Sequence, residues 1–313
     1  MALSAVFKSS AHISWKSTSK FQKTISKCIE KCGVSLHSGK LTIVKLWPEL
    51  AGKGRYFDVC SNLIRASIDF VEESPLCTTV CESGFKVRTV EHLLSALEAT
   101  GVDNCRIEVV PTDCDDRIFE VPILDGSARE WVEMIEQTGL EDAKDHNGNI
   151  CEKMVPVLID PVHVQRNDSF VAAFPSPNVQ ITYGINFPEV PHIGCQWFSS
   201  APLECSFYPT DIAPSRTFCI FEEVEKLHNA GLIKGGSTEN AVVCSASKGW
   251  LNPPLHFPNE PCRHKVLDLI GDLSMFARCG SQGVPVAHIV AYKAGHALHA
   301  EFVRCLSKSS VKN

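Results

Sequence analysis

Alternation between apolar and polar residues predicts short strands along most of this chain. Successive side chains of a strand point to opposite faces, so a strand with one buried face shows a period of two. A polar turn at residues 36–39 joins the first two alternating stretches, as in a β-hairpin. The predicted strands are residues 24–32, 39–47, 103–110, 121–124, 155–159, 170–174, 179–184, 241–244 and 286–292.

Five stretches follow the helical period of 3.6 instead, with apolar residues three or four apart. Three of them stop at Gly101, Gly139 or Gly231, which is typical of a helix C-terminus. The predicted helices are residues 88–100, 128–138, 222–229, 262–278 and 297–306. Two strand-rich halves with a few helices each predict an α+β fold rather than a doubly wound parallel sheet.

The polar, turn-rich residues 142–149 predict a domain boundary, between one domain at 22–148 and a second at 152–307. A length of 313 residues suits two domains. The net charge of −6 indicates no general affinity for nucleic acid. No apolar run reaches about 18 residues, so no membrane span is predicted. Fifteen scattered cysteines without a C-x-x-C pair favour buried thiols over a disulfide framework.

The N-terminus has the composition of a targeting segment. The first acidic residue is Glu30, and five lysines and seven serines precede it. A basic, serine-rich leader without acids is typical of an organellar transit peptide, which we place at residues 1–21. Mitochondrion is the predicted destination and plastid the alternative; a disordered basic tail is the other interpretation.

The predicted helix at 262–278 carries residues suited to a metal. His264 and Asp268 are four positions apart and share a helix face, and Asp272 extends the row. An imidazole and a carboxylate supply two of the three protein ligands of a catalytic zinc site. The alternative is an ordinary charged face with a capping aspartate, and the spacing alone does not exclude it.

Three further stretches add candidate chemistry. Glu91 and His92 are adjacent on a predicted helix, so they diverge by about 100° and suit different roles, one as a base and one as a ligand. The alternative is that Glu91 has no chemical role and only stabilises the helix, because a negative charge is favourable in its first turn. His296 follows a glycine in a turn before the last helix, and Thr217 follows an arginine in a polar break. Together these stretches offer His92, His264 and Asp268 as ligands, Glu91 as base, His296 as acid, and Lys265 and Thr217 as oxyanion partners.

Seven blocks of the sequence, in this order, resemble the signature blocks of the LpxC family of UDP-3-O-acyl-N-acetylglucosamine deacetylases, the zinc amidases of lipid A biosynthesis. The resemblance covers residues 24–305. The blocks are Thr89-Val90-Glu91-His92-Leu93, Asp103-Asn104, Pro122-Ile123-Leu124-Asp125-Gly126-Ser127-Ala128, Ser215-Arg216-Thr217-Phe218, Gly235-Gly236-Ser237, His264-Lys265-Val266-Leu267-Asp268-Leu269-Ile270-Gly271-Asp272-Leu273 and Gly295-His296-Ala297-Leu298.

The resemblance implies two similar α+β domains, each a sheet layered with helices. It implies that the helical layers face each other, with the active site at the domain interface. It also implies one Zn²⁺ held by His92, His264 and Asp268, although two imidazoles and a carboxylate suit Fe²⁺ as well. The chain is expected to act as a monomer on a small acylated UDP-amino sugar.

The implied reaction is hydrolysis of the N-acetyl group of this sugar. Glu91 would be the general base for the attacking water. Thr217 and Lys265 would face the oxyanion. His296 would protonate the departing amine, and Asp272 would orient His296 and keep it charged.

The acyl chain is expected to lie in a groove formed by a βαβ insert near residues 217–243. The apolar residues expected to line it are Phe218, Ile220, Leu227, Leu232 and Ile233, unless they form ordinary core. Phe218, Lys265 and Thr217 are the predicted substrate-binding residues. Hydrolysis of another acylated amino sugar, and non-catalytic binding of an acylated nucleotide sugar, are the alternatives. No role is assigned to the additional His299.

Overall fold

The computed structural model describes residues 10, 12–110, 117–202 and 206–308. Within these residues there are six α-helices. They are α1 Glu91–Thr100, α2 Arg129–Thr138, α3 Phe207–Asp211, α4 Phe221–Asn229, α5 Glu260–Ser274 and α6 His296–Leu306. None of the helices in this described part of the chain is both long and apolar enough to cross a membrane.

Twenty-one strands accompany the helices in the same residues. They are β1 Ile13–Phe21, β2 Lys23–Ile25, β3 Ile29–Val34, β4 Leu41–Pro48, β5 Arg55–Val59, β6 Asn62–Arg65, β7 Val71–Glu72, β8 Thr79–Glu82, β9 Phe85–Arg88, β10 Cys105–Val110, β11 Ile118–Glu120, β12 Leu140–Asp142, β13 Glu152–Leu158, β14 Val162–Arg166, β15 Ser169–Pro175, β16 Gln180–Phe187, β17 Gly194–Ser199, β18 Phe218–Ile220, β19 Val242–Ser245, β20 Gly249–Trp250 and β21 Ala287–Tyr292.

The two halves of the chain repeat one topology. The main sheet of the first half has the order β3-β4-β10-β5-β6, and that of the second has the order β14-β15-β21-β16-β17. In each sheet the central strand comes last in sequence and pairs antiparallel with one hairpin and parallel with the other. In each half, strands of a small additional sheet and then a helix (α1 or α5) come before the central strand, and another helix (α2 or α6) comes after it. The predicted α+β fold with two similar halves is confirmed.

Helices α1 and α5, one from each half, pack directly against each other. A Cβ atom at Gly271 would lie 2.1 Å from the carbonyl oxygen of Glu91, so only glycine permits this approach. One turn further along α1, the Ser95 hydroxyl donates a hydrogen bond of 2.8 Å to the Leu267 carbonyl. The polar residues at the start of α1 are thereby held against the middle of α5.

The five predicted helices are confirmed, and they differ from the structure mainly at their ends. Helix α1 begins at Glu91 rather than residue 88, because Arg88 ends strand β9 and Thr89 has a left-handed backbone with φ +57°. The predicted strand at 121–124 is wrong. Ile118–Glu120 forms the strand instead, since Pro122 has no N–H to donate and Leu124 has φ +53°.

Strand β1 lies within the segment that the composition assigns to a leader. It pairs antiparallel with β13, so it joins the start of the chain to the second half. Ile13 is fully buried, and Trp15 stacks on Phe276 with ring centroids 5.5 Å apart. Cleavage after residue 21 would remove this strand and its core contacts.

We expect a protein lacking residues 1–21 to unfold at a lower temperature than one lacking residues 1–9. The longer truncation loses a buried isoleucine worth about 1.5–3 kcal/mol, as well as an aromatic stack. Thermal denaturation of the two truncated proteins measures the difference. Equal unfolding temperatures would show that β1 does not stabilise the fold.

Candidate active site

The approach to helix α1 places Glu91 and His92 at the contact with α5. Thr89 adopts a conformation that is costly for a β-branched residue, and its hydroxyl donates to the buried carboxylate of Glu120 at 3.1 Å. The chain therefore turns sharply from β9 into the first turn of α1. Both Glu91 and His92 are buried there.

His92, His264 and Asp268 form a compact buried cluster. Their potential ligand atoms all lie within 4.8 Å of one another. The Nε2 atoms of His92 and His264 lie 3.5 Å and 3.3 Å from Oδ1 of Asp268. The two imidazole rings meet edge to face with centroids 4.9 Å apart. One residue of this cluster comes from the first half of the chain and two come from the second.

The hydrogen bonding of this cluster fits a cation. Nδ1 of His264 lies 2.9 Å from the Ser215 carbonyl, to which its N–H donates, so Nε2 keeps a lone pair towards the cluster. Burial lowers the pKa of His264 to about 4, despite the opposing charge of Asp268, so the ring is neutral. Oδ1 of Asp268 and Nδ1 of His92 are buried without a hydrogen-bond partner. A buried carboxylate oxygen that has no hydrogen bond and lies between two imidazole nitrogens is the environment that a divalent metal satisfies.

Glu91 lies beside this cluster but is oriented by other groups. Its Oε2 accepts a hydrogen bond of 3.0 Å from the backbone N–H of Thr78, and its Oε1 lies 3.9 Å from Nε2 of His296. Burial raises the pKa of Glu91 above its ordinary value, although nearby His296 and His92 oppose this. A desolvated carboxylate with a raised pKa is a better proton acceptor than an exposed one.

Asp272, His296 and His299 form a second cluster, in which both histidines are hydrogen-bonded to Asp272. Oδ2 of Asp272 lies 2.8 Å from Nδ1 of both histidines, and Oδ1 accepts a bond of 2.6 Å from the Thr78 hydroxyl. Burial opposes the charge on His296, but Asp272 and then Asp268 and Glu91 outweigh it and raise its pKa to about 9. Burial likewise opposes the charge on Asp272, and His296 and His299 lower its pKa to about 2. His296 is therefore an imidazolium held by a carboxylate at neutral pH.

The structure gives His299 a place in this cluster. Besides Asp272, it contacts the Tyr183 hydroxyl at 3.0 Å, and that hydroxyl donates to the Ala294 carbonyl at 2.7 Å. The sequence contained a signal for it, because residues three apart on a helix share a face with each other. Thr78 and Tyr183 carried no such signal, since their roles depend on how distant segments pack.

All three predicted substrate-binding residues line one pocket of about 550 Å³. Thr217, Phe218, Lys265 and His296 lie in its wall. Nζ of Lys265 donates to Oδ2 of Asp268 at 2.8 Å and lies 5.9 Å from the centre of the Phe218 ring. The same wall contains further cationic and apolar side chains: Arg166, Lys293, Leu36, Leu76, Leu227 and Ile233.

The insert that contributes to this pocket is a βαβ unit. Strands β18 and β19 pair in parallel, and α4 connects them. Helix α4 buries none of its residues, so its apolar side chains are not ordinary core. Leu227 and Ile233 line the pocket, whereas Leu232 faces a separate cavity of about 280 Å³ and Ile220 lines neither.

Comparison with known proteins identifies the family. The family described as "LpxC: UDP-3-O-acyl N-acetylglycosamine deacetylase" matches residues 22–308. This chain belongs to the LpxC family. LpxC proteins are metalloenzymes, and the buried His-His-Asp cluster is a group that could hold a metal ion.

Several LpxC relatives are similar over nearly their whole length. A protein of Arabidopsis thaliana named "Probable UDP-3-O-acyl-N-acetylglucosamine deacetylase 1, mitochondrial" is 58% identical over 299 residues, covering 96% of this chain and 92% of the relative. The UDP-3-O-acyl-N-acetylglucosamine deacetylase of Synechocystis sp. is 45% identical over 285 residues, covering 90% and 96%. That of Thermosynechococcus vestitus is 42% identical over 294 residues, covering 93% and 95%. The predicted family is confirmed, and membership indicates a deacetylase.

Proposed function

We propose that this protein hydrolyses the N-acetyl group of UDP-3-O-acyl-N-acetylglucosamine, giving acetate and UDP-3-O-acyl-glucosamine. This reaction would be an early step of lipid A-type glycolipid biosynthesis. The main support for the proposal is the geometry where α1 meets α5. Three potential metal-ligand atoms lie there next to the buried carboxylate of Glu91 and the imidazole of His296. The names of the Arabidopsis and cyanobacterial relatives support the choice of substrate.

His92, His264 and Asp268 would hold one divalent metal, which we propose is Zn²⁺, with Fe²⁺ as the alternative. When bound there, such a metal polarises an amide carbonyl and lowers the pKa of water. Lys265 would keep the other oxygen of Asp268 occupied, which fixes the carboxylate with Oδ1 towards the two imidazoles. The ligand set thus joins the two halves of the chain.

Glu91 and His296 would divide the proton transfers of the reaction between them. Glu91 takes a proton from the attacking water as the water oxygen bonds to the amide carbon. His296 then gives its proton to the nitrogen as the carbon–nitrogen bond breaks, because an unprotonated amine leaves poorly. Asp272 would hold His296 in place and keep it charged before this step.

The 550 Å³ pocket would hold the substrate around this centre. Thr217 and Lys265 provide a hydroxyl and an ammonium group beside His296 for the developing oxyanion. Arg166 and Lys293 also line the pocket, where a diphosphate would compete with their ion pairs to Glu301 and Asp168. The apolar side chains of Phe218 and the α4 region would contact the acyl chain, which needs a surface free of charge.

We expect kcat/KM to follow a bell-shaped pH profile. Activity falls above about pH 9 because His296, whose pKa is raised to about 9, then loses the proton that it donates. It falls in acid as Glu91 becomes protonated, and this limb lies above the ordinary value of 4.5 because burial raises the pKa of Glu91. Replacing Asp272 by Asn should move the alkaline limb to lower pH, and an unmoved limb would contradict the assigned pair.

Acetate release from UDP-3-O-acyl-N-acetylglucosamine, compared with UDP-N-acetylglucosamine, tests the substrate. The proposal predicts a higher kcat/KM for the acylated compound, because only that compound fills the apolar part of the pocket. Turnover of only a different acylated amino sugar would show that the proposed substrate is wrong and that the other sugar is the substrate. Tight binding of the acylated nucleotide sugar without acetate release would indicate a binding protein.

We also propose that the protein is imported into mitochondria, as the name of the Arabidopsis relative suggests for that protein. The import signal would lie before β1, since β1 is paired and contributes to the core. Plastid import is the alternative. Fractionation of cells that express the full chain, followed by determination of the mature N-terminus, distinguishes the two destinations and locates the cleavage point.

A further inference from the structure

Thr78, which immediately precedes β8, lies between the two carboxylates of the proposed acid–base machinery. It is 3% exposed, and every polar atom that it offers has a partner. Its backbone N–H donates to Oε2 of Glu91 at 3.0 Å, and its carbonyl accepts from the N–H of Val90 at 3.4 Å. These two bonds fix the backbone of Thr78 against the start of α1.

The side chain of Thr78 reaches the other half of the chain from this fixed position. Its hydroxyl donates to Oδ1 of Asp272 at 2.6 Å and lies 3.1 Å from Nδ1 of His296. Oδ2 of Asp272 remains for the two histidines. The hydroxyl therefore determines which oxygen of Asp272 faces His296, and with it the direction of the imidazole ring.

We propose that Thr78 is a positioning residue for the Asp272–His296 pair. Without the hydroxyl, Oδ1 of the fully buried Asp272 would lose its donor, and the carboxylate would no longer be held in one orientation. His296 would then present its proton less often in the direction that the reaction requires. Thr78 is absent from the wall of the 550 Å³ pocket, so substrate binding should not change. This inference rests on the proposed function, because it concerns the same proton transfer.

The test compares Thr78→Val with Thr79→Val in the metal-loaded full chain. Thr79 is the next residue and is equally buried, but its hydroxyl bonds to Ser74 rather than to the acid–base groups. Thr78→Val should lower kcat about 10- to 100-fold, the loss expected for a hydrogen bond to a charged group, with KM unchanged. Thr79→Val should leave kcat unchanged, and Thr78→Ser should restore it.

Metal content and the thermal unfolding midpoint, measured on every variant, separate positioning from a loss of structure. Thr78→Ala also removes the hydroxyl but puts no methyl group in its place. A similar loss of kcat in this variant would show that the missing hydroxyl, and not the added methyl group of Thr78→Val, causes the loss. Equal kcat values for Thr78→Val and Thr79→Val, or no recovery in Thr78→Ser, would overturn the proposal. Absence of acetate release by the unmodified protein would instead overturn the proposed function.

Discussion

Replacing Glu91 by Gln should lower kcat by about 10²- to 10⁴-fold while the protein keeps its metal. Gln has nearly the same shape, so it can still accept the hydrogen bond from the Thr78 N–H at 3.0 Å. The Gln side chain cannot take a proton from water, because it lacks the carboxylate whose pKa burial raises in Glu91. The expected change is therefore chemical rather than structural, and KM should change little.

Glu120→Gln is the matched control for this variant. Glu120 is as buried as Glu91, but it accepts its hydrogen bonds from the turn at His37 and Ser38 and from Thr89. We expect this change to lower the unfolding temperature and to leave kcat per folded molecule unchanged. A Glu91→Gln protein that keeps wild-type kcat, or that loses its metal, would contradict the assignment of Glu91 as a base.

Replacing His264 by Ala should remove both the metal and the activity. His264 is held by the Ser215 carbonyl with its Nε2 atom 3.3 Å from Oδ1 of Asp268, which is the orientation that the proposed ligand role requires. Losing a partner that only orients a ligand already weakens metal binding by about 10- to 100-fold, and losing the ligand itself should cost more. Metal analysis after dialysis, together with acetate release, measures both effects.

His296→Ala is the comparison that separates ligand from acid. Nε2 of His296 lies 3.9 Å from Oδ2 of Asp268 in the same cluster, but its Nδ1 is hydrogen-bonded to Asp272. This variant should lose activity and keep its metal. If both histidine variants keep the metal, or both lose it, the division into ligands and proton donors is wrong.

Local patterns were sufficient to predict much of the fold. Apolar spacing located α5, and glycines marked the ends of α1 and α2, because helix periods and caps depend on neighbouring residues. Periodicity could not show that β10 and β21 insert into the centres of their sheets, since that pairing joins distant segments. It also could not show that β1 pairs with β13, since an acid-free, serine-rich strand has the composition of a leader.

The residues of the candidate site also divide into those that local spacing predicts and those that only the packing of distant segments reveals. The spacing of His264 and Asp268 predicted a shared face, and the structure places both in one cluster with His92. Thr78 was missed because its position becomes informative only when α1 and α5 pack at Gly271. The pairing of Asp272 with two histidines on one oxygen likewise follows from how α5 and α6 meet.

Metal-dependent acetate release by the full chain tests the central claim most directly. The protein would be stripped of metal with a chelator, reloaded stepwise with Zn²⁺, and assayed on UDP-3-O-acyl-N-acetylglucosamine at each step. We expect no turnover without metal, and a rise in turnover in proportion to the zinc added until one ion is bound per chain. Full turnover by the metal-free protein, or none with one zinc bound, would contradict this claim.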